Sequence, residues 1–333
     1  MTKIRPTGII LDMRIFLSNQ AHLRNFSRFI KSIDFSNPDI LKVETHKKWI
    51  TVHPAILAFT AALAIKSGKD NSSIELPLPD NGKHLDSMGL FNFLKTESPF
   101  KYNKKESSGR YIPLQVIKTA DDQSKFIAEM VPLLHLPEKE SRIIKYIIGE
   151  LVRNVLEHSL SDKGAVVAAN YYPKNNKISI GICDTGIGIW KSMNEYWRPK
   201  DDISAIRLSL TPGITGTTHK EGGTRDNAGA GLFFTKSIAR ITRSYFTIFS
   251  GKAEYTLLKG DKRNNIFKLK IDPFDDPHRC TLIEGDFKGT LVAIDMSLDN
   301  TPEFQAILKL ISAVYDDAIR DRKRTKYKEP KFL

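Results

Sequence analysis

The chain has 333 residues, with 51 Lys and Arg against 38 Asp and Glu and a formal net charge of +13. That length predicts two domains, each able to bury a core of its own. With no apolar run long enough to span a bilayer, no signal-peptide core at the N-terminus, and two cysteines (Cys183 and Cys280) that build neither a disulfide framework nor a metal site, the expectation is a soluble, cytoplasmic protein without a membrane partner.

Residues 1–95 are expected to form a separate unit. Ile9–Phe16 is β-prone, His22–Ser32 is a plausible helix, and Ile33-Asp-Phe-Ser36 reads as a short strand ending in a turn. Pro54 stands where a helix begins, and the following run to Ile65 is apolar nearly all round, so that helix is expected to be buried. Ile74–Leu78 reads as a strand and His84–Leu94 as a further helix. Strands alternating with helices predict an open α/β arrangement. This pattern, together with Leu85-x-x-Met-Gly-Leu90, resembles a STAS domain, the anti-sigma-antagonist fold. That family has a phosphorylatable Ser at the start of its buried helix, where this chain reads Thr51-Val-His53-Pro54. The resemblance therefore implies a docking or dimerisation scaffold, a homodimer among its possible states, rather than a phosphoacceptor. His53 and His84 are read as structural.

Residues 96–110 are polar, charged and without periodicity, and read as a linker. Residues 111–300 are expected to form the second domain. Tyr111–Ile117 opens it as an edge strand, because Pro113 limits ladder bonding. Apolar residues at Ile143, Ile144, Ile147, Ile148, Leu151 and Val155 predict an amphipathic helix. Glu150, Asn154 and His158 then follow at i, i+4 and i+8 along one stripe of it. A carboxylate and an amide one turn apart suit a Mg²⁺ site, since that ion takes hard oxygen ligands and water; the plain alternative is a solvated helix face.

Ala165–Tyr172 and Lys177–Cys183 read as a hairpin around Pro173–Asn176, the second strand leading into Asp184-Thr-Gly186-Ile-Gly188. A carboxylate at a strand end followed by Gly-x-Gly lets backbone approach a flat ligand while the Asp accepts a hydrogen bond from it; a tight turn that merely uses glycines is the alternative. Residues 190–228 read as a lid, helical near Asp202–Leu210 and then dense in glycine. Lys220 or Arg225 is its candidate phosphate contact, the alternative being a solvated loop charge. Gly229-Ala-Gly231-Leu232 opens a helix whose N–H groups and positive dipole end suit phosphate oxygens. Ser244–Phe249, Ala253–Leu258, Ile266–Ile271 and Leu291–Ile294 are expected to be antiparallel strands.

Residues 301–333 comprise a helix, Glu303–Ile319, and a basic tail from Arg320 to Lys331. Such a run attracts nucleic acid or acidic surfaces, or is simply a solvated, mobile end. No aromatic interleaving or zinc-ligand spacing supports a nucleic-acid module.

Three segments in this order resemble the Bergerat-fold ATPases, the superfamily of gyrase B, the heat-shock chaperone ATPase, MutL and histidine kinases. Glu150–His158 resembles the N box, Asp184–Gly188 the first glycine box and Gly229–Leu232 the second. Phe287-Lys-Gly289-Thr290 resembles the closing Gly-Thr element, and the whole match covers roughly residues 120–298. The resemblance implies a mixed, mostly antiparallel sheet with helices on one face. It also implies Mg²⁺ on Asn154, the adenine amine read by Asp184, triphosphate along Gly229–Leu232, and Thr290 near adenine. Glu150 would be the general base. His135 is followed by Leu136-Pro137, which does not suit a phosphoacceptor helix, so histidine autophosphorylation is not expected. The leading expectation is a stand-alone, Mg²⁺-dependent protein that hydrolyses ATP slowly and reports nucleotide state to a protein partner. The alternatives are a serine/threonine kinase of the anti-sigma type acting on a STAS-like partner, and a non-catalytic nucleotide sensor or scaffold.

Overall fold

The computed structural model describes residues 12–35, 39–68, 71–101, 110–219, 230–259, 269–299 and 303–328. The chain is mixed α/β, built on one small parallel sheet and one five-stranded antiparallel sheet.

The N-terminal part runs β1 (Met13–Leu17), β2 (Asn19–Gln20), α1 (Phe26–Lys31), β3 (Leu41–Thr45), β4 (Thr51–Val52), α2 (Pro54–Ser67), β5 (Ser72–Ile74), α3 (Lys83–Ser87) and α4 (Leu90–Leu94). Strands β1, β3 and β5 form a parallel sheet in that order, as expected of an open α/β unit, and β2 pairs with β4. Three local expectations are corrected. The strand expected at Ile33–Ser36 is absent from Ile33 to Phe35, the next strand starting at Leu41; Ser36 lies outside the described residues. The strand expected over Ile74–Leu78 ends at Ile74, where Pro77 could not have donated to a ladder. The helix expected over His84–Leu94 is two short ones, broken at Gly89, whose φ of 81° no right-handed helix accommodates.

The second part runs β6 (Tyr111–Ile117), α5 (Ala120–Lys125), α6 (Glu138–His158), β7 (Ala165–Tyr172), β8 (Lys177–Asp184), α7 (Gly188–Asn194), α8 (Asp202–Ser209), α9 (Gly231–Ile241), β9 (Tyr245–Leu257), β10 (His278–Ser297) and α10 (Phe304–Lys328). The antiparallel sheet has the order β6-β7-β8-β10-β9. β6 is an edge, and its ladder slips between Ile112 and Gln115, around Pro113. The two strands expected within 244–258 are one, bending at Gly251 (φ 61°). β10 begins at His278, well before the expected Leu291, and pairs with β9 on one side and β8 on the other. Of the strand expected over Ile266–Ile271, residues 269–271 are not extended into a strand, and the rest lies outside the described residues.

Alternation along these strands gives the sheet two apolar faces. Val167, Ile180, Ile182, Ile248 and Ile294 face α6 and α9. The apolar stripe of α6, Ile143 to Val155, closes that core, and α10 packs on it through Ile307 and Ile311. Val166, Ala168, Cys183, Phe249 and Ala293 face the other way and share a core with α2 and the N-terminal strands. Helices therefore cover both faces, not one.

α2 is what makes the second face possible. All its side chains except Ile65 and Lys66 are buried, and its larger ones, such as Leu57 and Phe59, contribute about 1.5–3 kcal/mol each. Its alanines allow close approach: a Cβ on Gly181 of β8 would lie 2.1 Å from the Ala55 Cα. Phe59 packs on Phe287 with ring centroids 5.0 Å apart, and Phe287 in turn stacks on Phe249 at 5.2 Å. The basic run is not a loose tail up to Lys328, because α10 continues to that residue. Arg322 donates to the Pro212 carbonyl, tying the helix to the turn after α8. Lys331 lies outside the described residues. Among the described residues no helix is long and apolar enough to cross a membrane.

Candidate functional site

One cleft lies between α6, the end of β8, α7, the turn after α8 and the start of α9. Its wall includes Asn154, Asp184, Gly188, Gly231, Leu232 and Thr290, six of the expected site residues.

Asp184 ends β8 opposite Thr290 on β10. It is 2 % exposed. Its Oδ1 accepts the Gly186 N–H at 2.8 Å. Burial pushes its carboxyl up to about 7, against the pull of the Gly186 and Thr290 N–H groups. A buried carboxylate without a cationic partner costs several kcal/mol, so a ligand that donates to it recovers part of that cost. The turn that follows is pinned to the end of α6: Ile187 N–H donates to the Ser159 carbonyl at 2.8 Å. A Cβ on Gly186 would lie 2.0 Å from the same carbonyl oxygen, so only glycine fits there. Gly188 has φ 76° and starts α7.

The stripe on α6 faces the start of α9. A Cβ on Gly231 would fall 2.7 Å from Glu150 Oε2 and 3.2 Å from Asn154 Nδ2. Gly231 thus lets the N-terminus of α9 close onto both side chains. Asn154 Nδ2 is buried with no hydrogen-bond partner among the described residues, an orphan that a ligand or water would satisfy. Burial raises the Glu150 carboxyl above its ordinary value, opposed by the Arg153 guanidinium. Burial likewise lowers the His158 imidazole, which also lines the cleft. Among the described residues no group of three or more His, Cys, Asp or Glu could hold a metal ion. Mg²⁺ does not need one, because it keeps several waters and takes the rest of its shell from a bound phosphate. The Asn154 amide offers it a hard oxygen.

Glu150 and Gly186 adjoin the cleft without lining it, Glu150 through Gly231 and Arg153, Gly186 by holding the turn. Gly229, Lys220 and Arg225 lie outside the described residues, as do lid residues 220–228. Residues 190–219, the described part of the expected lid, hold α8, as expected, and most of α7, a helix that the local sequence does not announce. Asp201 caps α8 with a reciprocal bond to Ser204.

Several residues in or behind the wall are not among those expected from the sequence. Ser250 on β9 accepts the Ile189 N–H at 2.9 Å and donates to the Gly289 carbonyl at 2.7 Å, clamping α7 to the Gly289-Thr290 turn. Nothing in the local sequence marks it. Met193, Ile214 and Val292 give the cleft an apolar side suited to a flat ring. Arg153 stood inside the expected motif, where helical spacing to Glu150 was the available signal. No protein-family model matches the chain, and no curated protein matches it.

Proposed function

We propose that the chain is a Bergerat-type, Mg²⁺-dependent ATP-binding protein that hydrolyses ATP slowly and signals nucleotide state to a protein partner. The observation that carries this reading is the convergence on one cleft of three segments far apart in sequence. They supply a buried carboxylate at a strand end, a Glu-x-x-x-Asn stripe, and a glycine that opens a helix.

In this reading Asp184 accepts the adenine amine while Met193, Ile214 and Val292 cover the ring. Gly231 brings the N-terminus of α9 to the phosphates, where its N–H groups and dipole favour negative charge. Asn154 would hold Mg²⁺, which would supply charge neutralisation at the phosphate oxygens when bound. Glu150 accepts a proton from the attacking water. The water oxygen bonds to the γ-phosphorus, the bond from that phosphorus to the bridging oxygen breaks, and its electron pair leaves with ADP. The N-terminal unit, read as STAS-like, serves as scaffold. The residue before its buried helix, His53, is fully buried and hydrogen-bonded at both ring nitrogens, which suits a structural rather than a phosphoacceptor role.

The test is γ-labelled ATP with Mg²⁺ on wild type and Glu150→Ala, following free phosphate and label on protein. Free phosphate that depends on Glu150 is the expected result. Label on a protein would replace hydrolysis with kinase activity, and ATP binding without either product would leave a nucleotide sensor. No Mg²⁺-dependent ATP binding at all would sink the reading.

A further inference from the structure

The carboxylate assigned as base is not free. Arg153 Nη2 lies 2.6 Å from Glu150 Oε2, one turn along α6. That is a short, charge-assisted hydrogen bond, and it occupies the oxygen that also lies nearest Gly231. A second nitrogen of the guanidinium is poorly satisfied. The Nε is buried without a hydrogen bond among the described residues, and Glu157 Oε1, at 3.9 Å from it, is too far to accept one. Arg153 is moreover the one Lys or Arg among the described residues that line the cleft.

Among the described residues, a polyphosphate entering this cleft would meet one guanidinium, already shared with a carboxylate. The planar fork of Arg matches phosphate oxygens in pairs, so phosphate and Glu150 compete for one cation. We propose that Arg153 is a positioning residue that leaves Glu150 for the phosphate oxygens of a bound nucleoside triphosphate, releasing the base only when the triphosphate is present. The inference rests on the nucleotide reading above. It makes water activation depend on the ligand: without triphosphate, the Arg153 hydrogen bond to Glu150 Oε2 stabilises the carboxylate and weakens it as a base. A ligand without phosphates leaves the pair intact.

A double-mutant cycle of binding affinities tests this, with ATP and adenosine titrated into wild type, Glu150→Gln, Arg153→Met and the double variant. Glu150→Gln frees Arg153 and is expected to tighten ATP binding about fivefold in the wild-type background. The same change in the Arg153→Met background is expected to have little effect. Arg153→Met alone should weaken ATP about tenfold or more while adenosine affinity stays at the wild-type value, which also certifies a folded site. Arg153→Lys, which keeps the charge and loses the fork, should recover part of the ATP affinity. Equal tightening by Glu150→Gln in both backgrounds would overturn the exchange, as would an unchanged ATP affinity in Arg153→Met. If wild type binds neither ATP nor adenosine, the nucleotide reading itself falls and this inference with it. Wild type that binds both, with no effect of Arg153, overturns the inference alone.

Discussion

His53 Nε2 lies 3.0 Å from Asp295 Oδ1, a buried contact between the start of α2 and the end of β10. His53 Nδ1 accepts the Ala55 N–H and so caps α2, which leaves the proton on Nε2 to be donated to Asp295. Lys177 Nζ reaches the same carboxylate oxygen at 3.1 Å, and the Ser179 hydroxyl donates to it as well. Burial alone would raise this carboxyl, but His53, Lys177 and Ser179 together hold it well below the usual range. The network fastens the N-terminal part to the two strands that carry Asp184 and Thr290.

Asp295→Ala should therefore destabilise the protein by about 3 kcal/mol at pH 7, because it leaves a buried His N–H and a partly buried ammonium without their acceptor. The folded carboxyl lies below its unfolded value near 3.8. Its contribution is therefore present above pH 3.8 and lost as pH falls toward the folded value. Denaturant unfolding of wild type and variant at pH 7 and pH 3 checks both points: the gap between them should shrink in acid. An equal gap at both pH values would assign the loss to packing alone.

The contact of Gly181 with α2 gives a second expectation. Gly181→Ala places its Cβ 2.1 Å from backbone at Ala55, which cannot yield without moving the helix off the sheet. A loss above about 2 kcal/mol is expected. Gly149, inside α6, is the contrasting case: its added Cβ would meet only Ile127 Cδ1 at 3.6 Å and Gln123 Nε2 at 3.7 Å. Gly149→Ala should stabilise by about 1 kcal/mol through helix propensity. Thermal unfolding of the two variants should shift in opposite directions.

What was legible in the sequence was local. The stripe Glu150–Asn154–His158, the turn after Asp184 and the glycine that opens α9 each sit within about ten residues, and the hairpin within about twenty, where spacing alone sets the geometry. α2 announced its burial by being apolar all round, yet nothing in it named its neighbours, since Ala55 meets Gly181 across long sequence separation. β9 was read as two strands because Gly251 interrupts the pattern, although the chain only bends there. The early part of β10, His278–Gly289, alternates too weakly to stand out, and its strand state comes from pairing with β9. Ser250 belongs to the same class: its role exists only once α7 and the Gly289 turn are brought beside it.

Gly231→Ala and Gly186→Ala should separate function from folding. At Gly231 the added Cβ meets the ends of the Glu150 and Asn154 side chains, which can swing aside. The protein should fold, with stability within about 1 kcal/mol of wild type, while the displaced stripe lowers Mg²⁺-dependent ATP affinity about tenfold or more. At Gly186 the added Cβ meets the Ser159 carbonyl, which is backbone, so stability itself should fall. Circular dichroism melts paired with ATP titration check both. A Gly231→Ala protein that binds ATP normally would remove the α9 N-terminus from the site.

Asp184→Asn offers the sharpest test, because function and stability are expected to move apart. The folded carboxyl titrates near 7 and the unfolded one near 3.8. The proton-linked stability of wild type is therefore fully present below 3.8 and lost as pH rises through about 7, where a buried charge forms without a cation beside it. The Asn amide carries no charge at any pH, and its oxygen can still accept the Gly186 N–H. The variant should match wild type near pH 5.5 and exceed it at pH 8 by about 1–2 kcal/mol, the spare N–H₂ offsetting part of the gain. ATP binding should fail in the same variant, since the ligand amine then meets a donor instead of an acceptor. In wild type, ATP affinity should weaken as pH drops from 8 to 6 and Asp184 takes up its proton. Ligand-free unfolding at the two pH values, with ATP titration alongside, reads all three effects. A variant that is less stable than wild type at pH 8 would make Asp184 a structural residue, and ATP binding that survives the substitution would take the adenine contact away from it.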